Sequence, residues 1–131
     1  MLRIRPEQME HFANRARERF HNLMVDYIWE TFPDRAPEQN RAALASWVRR
    51  ALALCEKYGV IMEPAAAQLM LLSLLLGVDA DEREEWVRDA LSRKVAPAGK
   101  VRRLIDACHE RSLSIDALLV VDEFRMPVEE A

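Results

Sequence analysis

Apolar residues recur at steps of three and four along most of this chain, which is the spacing of amphipathic α-helices. The first series starts after Pro6, a residue suited to the first turn of a helix, and continues to Ile28. Pro33 disfavours helical geometry in the residue before it, so the first helix is predicted to span roughly residues 6 to 32. A chain with this pattern is expected to be all-α.

Glycine and proline separate the helical segments that follow. Pro37 opens a second helix, which Gly59 is expected to end as a left-handed C-cap residue. Glu63 starts a third helix, and its almost wholly apolar surface predicts that it lies at the centre of the fold. Gly77 is expected to end this third helix in the same way as Gly59 ends the second.

The acidic segment 79–85 predicts the start of a fourth helix, with Asp79 or Asp81 as its N-cap residue and glutamates near the positive end of the helix dipole. Its inward face is predicted to contain Trp86, Val87, Ala90, Leu91 and Val95. A fifth helix follows Pro97, with a buried stripe and an opposite polar face. The stripe contains Val101, Leu104, Ile105 and Cys108, and the polar face contains Arg102, Arg103, Asp106, His109 and Glu110.

The last segment, residues 114–122, suits either a short helix or a short strand, and we favour the helix. Pro127 and the acidic residues after it predict a frayed tail from about residue 125. The 131 residues are enough for one hydrophobic core, and no linker or internal repeat divides them. We therefore expect a single helical domain over residues 1–131, built as a bundle of five to six helices.

Charge and hydropathy argue against nucleic acid and membranes as partners. The net charge is −3 and arginines are interspersed with acids, so no basic stripe is available to a phosphate backbone. The longest apolar run, residues 65–76, is shorter than the roughly 20 residues that cross a bilayer. Residues 1–6 do not read as a secretory signal, so we expect a cytoplasmic protein in which Cys55 and Cys108 are reduced.

No combination of residues predicts a catalytic site, a metal site or a bound cofactor. The spacings Glu18-x-x-His21 and Asp106-x-x-His109 are possible metal-ligand pairs, but we expect solvated surface pairs instead. The segment 79–85 lacks the third ligand and the glycine of a calcium-binding loop. Neither cysteine has a base nearby in the sequence, and the three glycines are too widely spaced for a phosphate-binding loop. We expect a protein without enzymatic activity.

The second half of the first helix carries more apolar surface than a surface helix needs. Val25, Trp29 and Phe32 widen the core stripe, so that only a narrow sector stays polar. Either neighbouring helices cover both faces, which we favour, or these three residues form an exposed patch that binds a protein partner. A homodimer seam at the same patch is a third alternative. Val25, Trp29 and Phe32 are therefore the candidate partner-binding residues.

Three short motifs carry a family resemblance. They are Arg-Ile-Arg-Pro-Glu-Gln-Met at residues 3–9, Tyr-Gly-Val at 58–60, and Leu-Leu-Leu-Gly-Val-Asp-Ala-Asp at 74–81 leading to Trp86. Over roughly the first 90 residues the chain resembles small helical accessory proteins encoded beside spike and effector genes in bacterial type VI secretion clusters. The resemblance implies a protein that holds, loads or neutralises an effector through protein contacts, and it assigns no catalytic residue.

The first functional hypothesis is an adaptor or chaperone that binds a secreted effector or spike component through Val25, Trp29 and Phe32. The alternative is an immunity protein that inhibits a cytoplasm-acting toxin, with the acidic segment 79–85 as its candidate contact. A helical DNA-binding regulator is less favoured, since it needs a recognition helix rich in exposed arginines. Arg102 and Arg103 are the best candidates for such a helix, and they are weak ones.

Overall fold

The computed structural model describes the backbone of residues 6–36 and 40–119, and the side chains of residues 15–36, 40–116 and 118. Within these residues the chain is all-α, as predicted, with seven helices and no strand. The helices are α1 (Pro6–Thr31), α2 (Arg41–Lys57), α3 (Glu63–Leu76), α4 (Ala80–Arg83), α5 (Glu85–Leu91), α6 (Pro97–Glu110) and α7 (Asp116–Leu119). The predicted start of the second helix at Pro37 and the predicted tail from about residue 125 lie outside the described residues.

The contacts of the chain form two compact units, Met1–Val48 and Arg49–Ala131. The first unit contains α1 and the start of α2, and the second contains the rest of α2 and the five later helices. The boundary therefore falls inside one continuous helix. The expectation of a single domain over residues 1–131 stays a prediction.

Local signals set the ends of α1 and the start of α2. The Phe32 N–H donates to the Ile28 carbonyl at 2.9 Å, and the chain then leaves the helix at Pro33, as predicted. Asn40 caps α2, because its side-chain oxygen accepts a hydrogen bond from the Ala43 N–H at 2.8 Å. This cap was not predicted from the sequence.

Gly59 ends α2 as predicted. It has a φ of 70°, and its N–H donates to the Glu56 carbonyl at 3.1 Å. The next N–H, that of Val60, reaches back to the Cys55 carbonyl at 2.8 Å, which completes a Schellman motif. Val60 and Cys55 are both fully buried, so the apolar contact that accompanies this motif belongs to the core.

α3 is buried on all sides in its central part, as its almost wholly apolar surface predicted. Nine consecutive residues, Ala65 to Ser73, are buried. Gly77 ends the helix, but with φ 97° and ψ 150° rather than the left-handed geometry of Gly59. A Cβ atom at Gly77 would lie 2.8 Å from an Arg83 guanidinium nitrogen, and the same nitrogen donates to the Leu76 carbonyl at 2.6 Å. Arg83 therefore satisfies a carbonyl at the end of α3.

The predicted fourth helix is wrong in its extent. It is divided at Glu84, whose extended backbone separates the single turn of α4 from α5, and it ends at Leu91. Val95 therefore lies outside the helix and is 50% exposed, whereas Val87 and Leu91 face inward as predicted. Ala90 also faces inward, and Trp86 is half-buried with the Arg111 guanidinium 4.1 Å above its ring.

α6 and α7 complete the second unit. Val101, Leu104 and Cys108 are buried as predicted, Ile105 is half-buried, and the predicted polar face of α6 is exposed. The described part of the ambiguous last segment, residues 114–119, contains the short helix α7, preceded by Ile115, and both Ile115 and Leu118 are fully buried. α6 packs against α3 and α5, and α7 packs against α3.

Candidate functional site

An open pocket of about 540 Å³ lies between α1 and the first turns of α2, entirely within the first unit. It is lined by His21, Asn22, Val25 and Asp26 from α1 and by Arg41, Ala42 and Ala45 from α2. The small side chains of the two alanines leave space between the helices, and Val25 gives the opposite wall an apolar surface. This volume is in the range of pockets that accept a small molecule or a bulky side chain.

His21 joins the two helices at the base of this pocket. It is 4% exposed, so the expectation that it forms a solvated pair with Glu18 is wrong. Its Nε2 lies 2.9 Å from the Ala45 carbonyl, which can only accept, so this nitrogen carries the hydrogen. Its Nδ1 lies 3.2 Å from the Asn22 side-chain oxygen. The hydrogen bond to the Ala45 carbonyl thus fixes the orientation of the ring.

An ion pair closes one edge of the pocket. Arg41, the first residue of α2, binds the Asp26 carboxylate of α1, and both side chains are about half exposed. The pair lies near the cap formed by Asn40, so the start of α2 is fixed both by its own backbone and by α1. The pocket therefore combines an apolar wall with charged groups at its rim.

The structure separates the three residues predicted to bind a partner. Val25 is 4% exposed and forms part of the pocket wall. Trp29 is half-buried and lies on the pocket side of α1, one helical turn beyond Val25 and Asp26. Phe32 is half-buried, with its ring edge-to-face with Tyr27 at a centroid distance of 5.9 Å. These residues are therefore not one exposed patch, and a role in partner binding stays a prediction.

A second polar cluster surrounds Asp81 in the second unit. Asp81 was one of two candidates for the helix cap, but its side chain is 3% exposed and makes a different set of contacts. Its Oδ2 accepts hydrogen bonds from the Lys57 ammonium and from the Tyr58 hydroxyl, both at 2.7 Å. Asp79 occupies the N-cap position of α4, yet its side chain makes no cap bond and instead pairs with Arg83 at 3.1 Å.

The pKa values of this cluster reflect burial opposed by hydrogen bonding. Burial raises the pKa of Asp81, but the bonds from Lys57 and Tyr58 outweigh it and leave the pKa below its ordinary value. The hydrogen bond to Asp81 raises the pKa of Lys57, and burial followed by the bond to Asp81 raises the pKa of Tyr58. At neutral pH the cluster is therefore a carboxylate, an ammonium and a neutral phenol.

The cluster connects three elements of the second unit. Lys57 and Tyr58 lie at the end of α2, Asp81 lies in α4, and the Lys100 ammonium of α6 donates to the Tyr58 carbonyl at 2.6 Å. The sequence placed Tyr58 at a helix end and Asp81 at a helix start, and it offered no signal that the two side chains meet. The arrangement is a structural clamp, since the carboxylate is enclosed by its partners.

The other candidate ligands and nucleophiles among the described residues have different contacts. His109 contacts Asp116 at 3.1 Å rather than Asp106. Both cysteines are free and buried, and burial raises the pKa of Cys55 to about 12 and that of Cys108 to about 11. No three His, Cys, Asp or Glu side chains of the described residues form a group that could hold a metal ion.

Comparisons with known proteins give no further assignment. No family model, curated protein or solved structure matches this chain. Among the helices in the described part of the chain, none combines the length and apolar composition needed to span a membrane.

Proposed function

We propose that this chain is a non-enzymatic adaptor or chaperone that binds an effector or spike protein of a bacterial type VI secretion system. The pocket between α1 and α2, with Val25 in its wall and Trp29 one turn further along, is the observation that carries the proposal. The three sequence motifs that resemble secretion accessory proteins suggest the class of partner. Partner binding accounts for the apolar excess of α1 without invoking a reactive group.

The pocket suits an apolar side chain of the partner. Such a side chain enters between Val25 and the two alanines of α2, and the exposed part of Trp29 covers the neighbouring surface. Burying one large apolar side chain contributes roughly 1.5–3 kcal/mol. The half-exposed ion pair between Asp26 and Arg41 at the rim then selects partners that carry polar groups around that side chain.

The test is to fill the pocket without disturbing the core. Ala42 is exposed and lines the pocket, so Ala42→Trp places an indole in the pocket while α2 keeps its capping contacts. Ala53→Trp is the matched control, because Ala53 is also exposed on α2 but lies about 16 Å further along the helix. The partner is captured from source cells with the tagged protein, identified by mass spectrometry, and titrated by calorimetry.

We expect Ala42→Trp to weaken binding of the captured effector or spike protein by about tenfold or more, and Ala53→Trp to change it by less than about threefold. Trp29→Ala is expected to weaken binding in the same way as Ala42→Trp. Equal affinities for both tryptophan variants would show that the pocket is not the contact. If no secretion component is captured, the proposed class of partner is wrong.

The second candidate is an immunity protein that acts through the acidic segment 79–85. One observation favours it: Asp81 anchors this segment to Lys57 and Tyr58, while Glu82, Glu84 and Glu85 remain exposed. An acidic surface held on a fixed backbone accelerates association with a basic partner.

Charge reversal separates this candidate from the adaptor. Glu82→Lys combined with Glu85→Lys is expected to slow association with a captured toxin and to restore the toxin's activity in an inhibition assay. An adaptor binding through the α1–α2 pocket predicts unchanged association for this variant. A partner whose activity persists in the complex would exclude the immunity role.

A further inference from the structure

The exposed side of α1 carries a regular pattern of which only Asp26 also belongs to the pocket and none to the core. Its members follow one another at steps of four, four, three and four residues, so they share one side of the helix. They are Arg15, Arg19, Leu23, Asp26 and Glu30, and all five are exposed. Leu23, at the centre of this stripe, is a large apolar side chain with 43% of its surface accessible.

The charges of this stripe run against the dipole of their own helix. Arginines occupy the first half of the stripe and acids occupy the second half. The last turn of α1 contains no basic residue. Glu30 therefore lies beside the negative end of the helix dipole, where a cation is favoured. Neither Arg15 nor Glu30 forms a hydrogen bond or an ion pair with another described residue. Local helix energetics give no reason for this order of charges.

We propose that α1 pairs antiparallel with α1 of a second copy of the chain, about a two-fold axis that passes between Asn22 and Leu23. Arg15 and Glu30 are equally distant from this axis, as are Arg19 and Asp26. Each arginine of one copy therefore faces an acid of the other, and the symmetry makes every pair occur twice. Asp26, which is about half exposed, then contacts Arg19 of the second copy as well as Arg41 of its own chain. Leu23 lies against Leu23 of the second copy at the centre.

Antiparallel pairing also resolves the unfavourable order of charges. It brings Arg15 of the second copy to the negative end of α1, and it sets the two helix dipoles in opposite directions. The stripe shares Asp26 with the pocket between α1 and α2, and Asn22, beside the two-fold axis, also lines that pocket. The inference goes beyond the proposed partner binding and does not depend on it.

The strength of the contact follows from its composition. Exposed ion pairs contribute little individually and are screened by salt, and one leucine per copy supplies the apolar centre. The surface is at the small end of protein interfaces. The chain is thus a weak, salt-sensitive dimer rather than a permanent one.

Sedimentation equilibrium of the full chain tests this dimer. We expect a concentration-dependent dimer whose dissociation constant rises by about tenfold or more between roughly 50 mM and 500 mM salt. Arg15→Glu and Glu30→Arg, each alone, place like charges opposite one another and are expected to weaken the dimer by about tenfold or more. The combined variant exchanges the two charges and restores the opposite-charge pairs, so it is expected to return to within about threefold of the wild type.

The variants separate association from folding. Glu30→Arg places a cation at the negative end of α1, so the monomer is expected to keep or gain helix stability by circular dichroism while the dimer is lost. Arg102→Glu, on the exposed face of α6, is the control for Arg15→Glu, because it makes the same charge change away from α1. It is expected to leave the dimer intact. A monomer at all concentrations at low salt would overturn the proposal. A dimer unaffected by Arg15→Glu, or not restored by the combined variant, would overturn it equally.

Discussion

The buried polar side chains show how single residues hold distant parts of each unit together. The structure buries His21, Gln68, Ser73 and Asp81. A buried polar group is costly unless it is hydrogen-bonded, so its partner is a strong constraint on the fold. His21 is hydrogen-bonded to the Ala45 carbonyl, and Asp81 accepts hydrogen bonds from Lys57 and Tyr58. Each of these partners is 23 or 24 residues away in the chain.

Asp81→Asn is expected to destabilise the protein by about 1–3 kcal/mol, because it removes the charge that two short hydrogen bonds stabilise. Urea unfolding followed by circular dichroism measures the loss. Asp79→Asn is the matched control, since its ion pair with Arg83 is half exposed and contributes less than about 1 kcal/mol. Equal effects of the two variants would contradict the assignment of Asp81 as the clamp.

The same clamp predicts a pH dependence. The folded pKa of Asp81 is lowered, so its stabilisation is fully present above about pH 4 and is lost as the pH falls through the folded value. The stability difference between the wild type and Asp81→Asn should therefore shrink in acid. The pKa values of Lys57 and Tyr58 are raised, so their contribution is present at neutral pH and lost only above about pH 10. A difference that is constant from pH 3 to 7 would exclude this account.

Among the helices, α3 is the one whose burial follows most directly from its apolar sequence. Its residues 65–73 are apolar apart from Gln68 and Ser73, and all nine are buried. The Ser73 hydroxyl donates to the Leu69 carbonyl at 2.9 Å, whereas the Gln68 side-chain oxygen has no hydrogen-bond partner among the described residues. The buried part of this helix thus contains one hydrogen-bonded hydroxyl and one unpaired side-chain oxygen.

Gln68→Met is expected to stabilise the protein by roughly 1 kcal/mol, because it replaces an unpaired buried oxygen with an apolar group of similar size. The midpoint of urea unfolding measures the gain. Ser73→Ala on the same helix is the control, since it removes a hydrogen bond that is made and is expected to be neutral or destabilising by up to about 1 kcal/mol. A destabilised Gln68→Met would show that this oxygen has an essential partner.

At the scale of the whole molecule, two compact units share the helix α2. One hydrophobic core was expected from the length of the chain, and a continuous helix through the boundary opposes independent unfolding of the two units. The two units also carry different probes: Trp29 and Trp47 lie in the first, and both cysteines lie in the second.

We predict that the two units unfold in a single transition. In a Trp86→Phe variant, fluorescence reports on the first unit, and the rate of thiol labelling reports on the second. Because Cys55 and Cys108 are buried with raised pKa values, labelling requires unfolding. Both signals should change at the same denaturant concentration. Separate midpoints would show two domains and contradict the sequence-based expectation.

The sequence by itself determined the helical class, the end of α1 at Pro33, the cap at Gly59 and the burial of α3. Each of these depends on residues that are neighbours in the chain, through backbone geometry or a three-to-four residue spacing. These signals are local, so they can be read before any tertiary contact is known.

Only the tertiary structure decided the roles of His21 and Asp81, the break at Glu84 and the pocket beside Val25. Sequence patterns marked His21 as a surface residue and Asp81 as a candidate cap, because a local pattern cannot show which carbonyl or hydroxyl lies opposite after folding. The partners of both side chains come from helices more than 20 positions away. The space between α1 and α2 likewise depends on how far apart two helices sit, which their individual sequences do not encode.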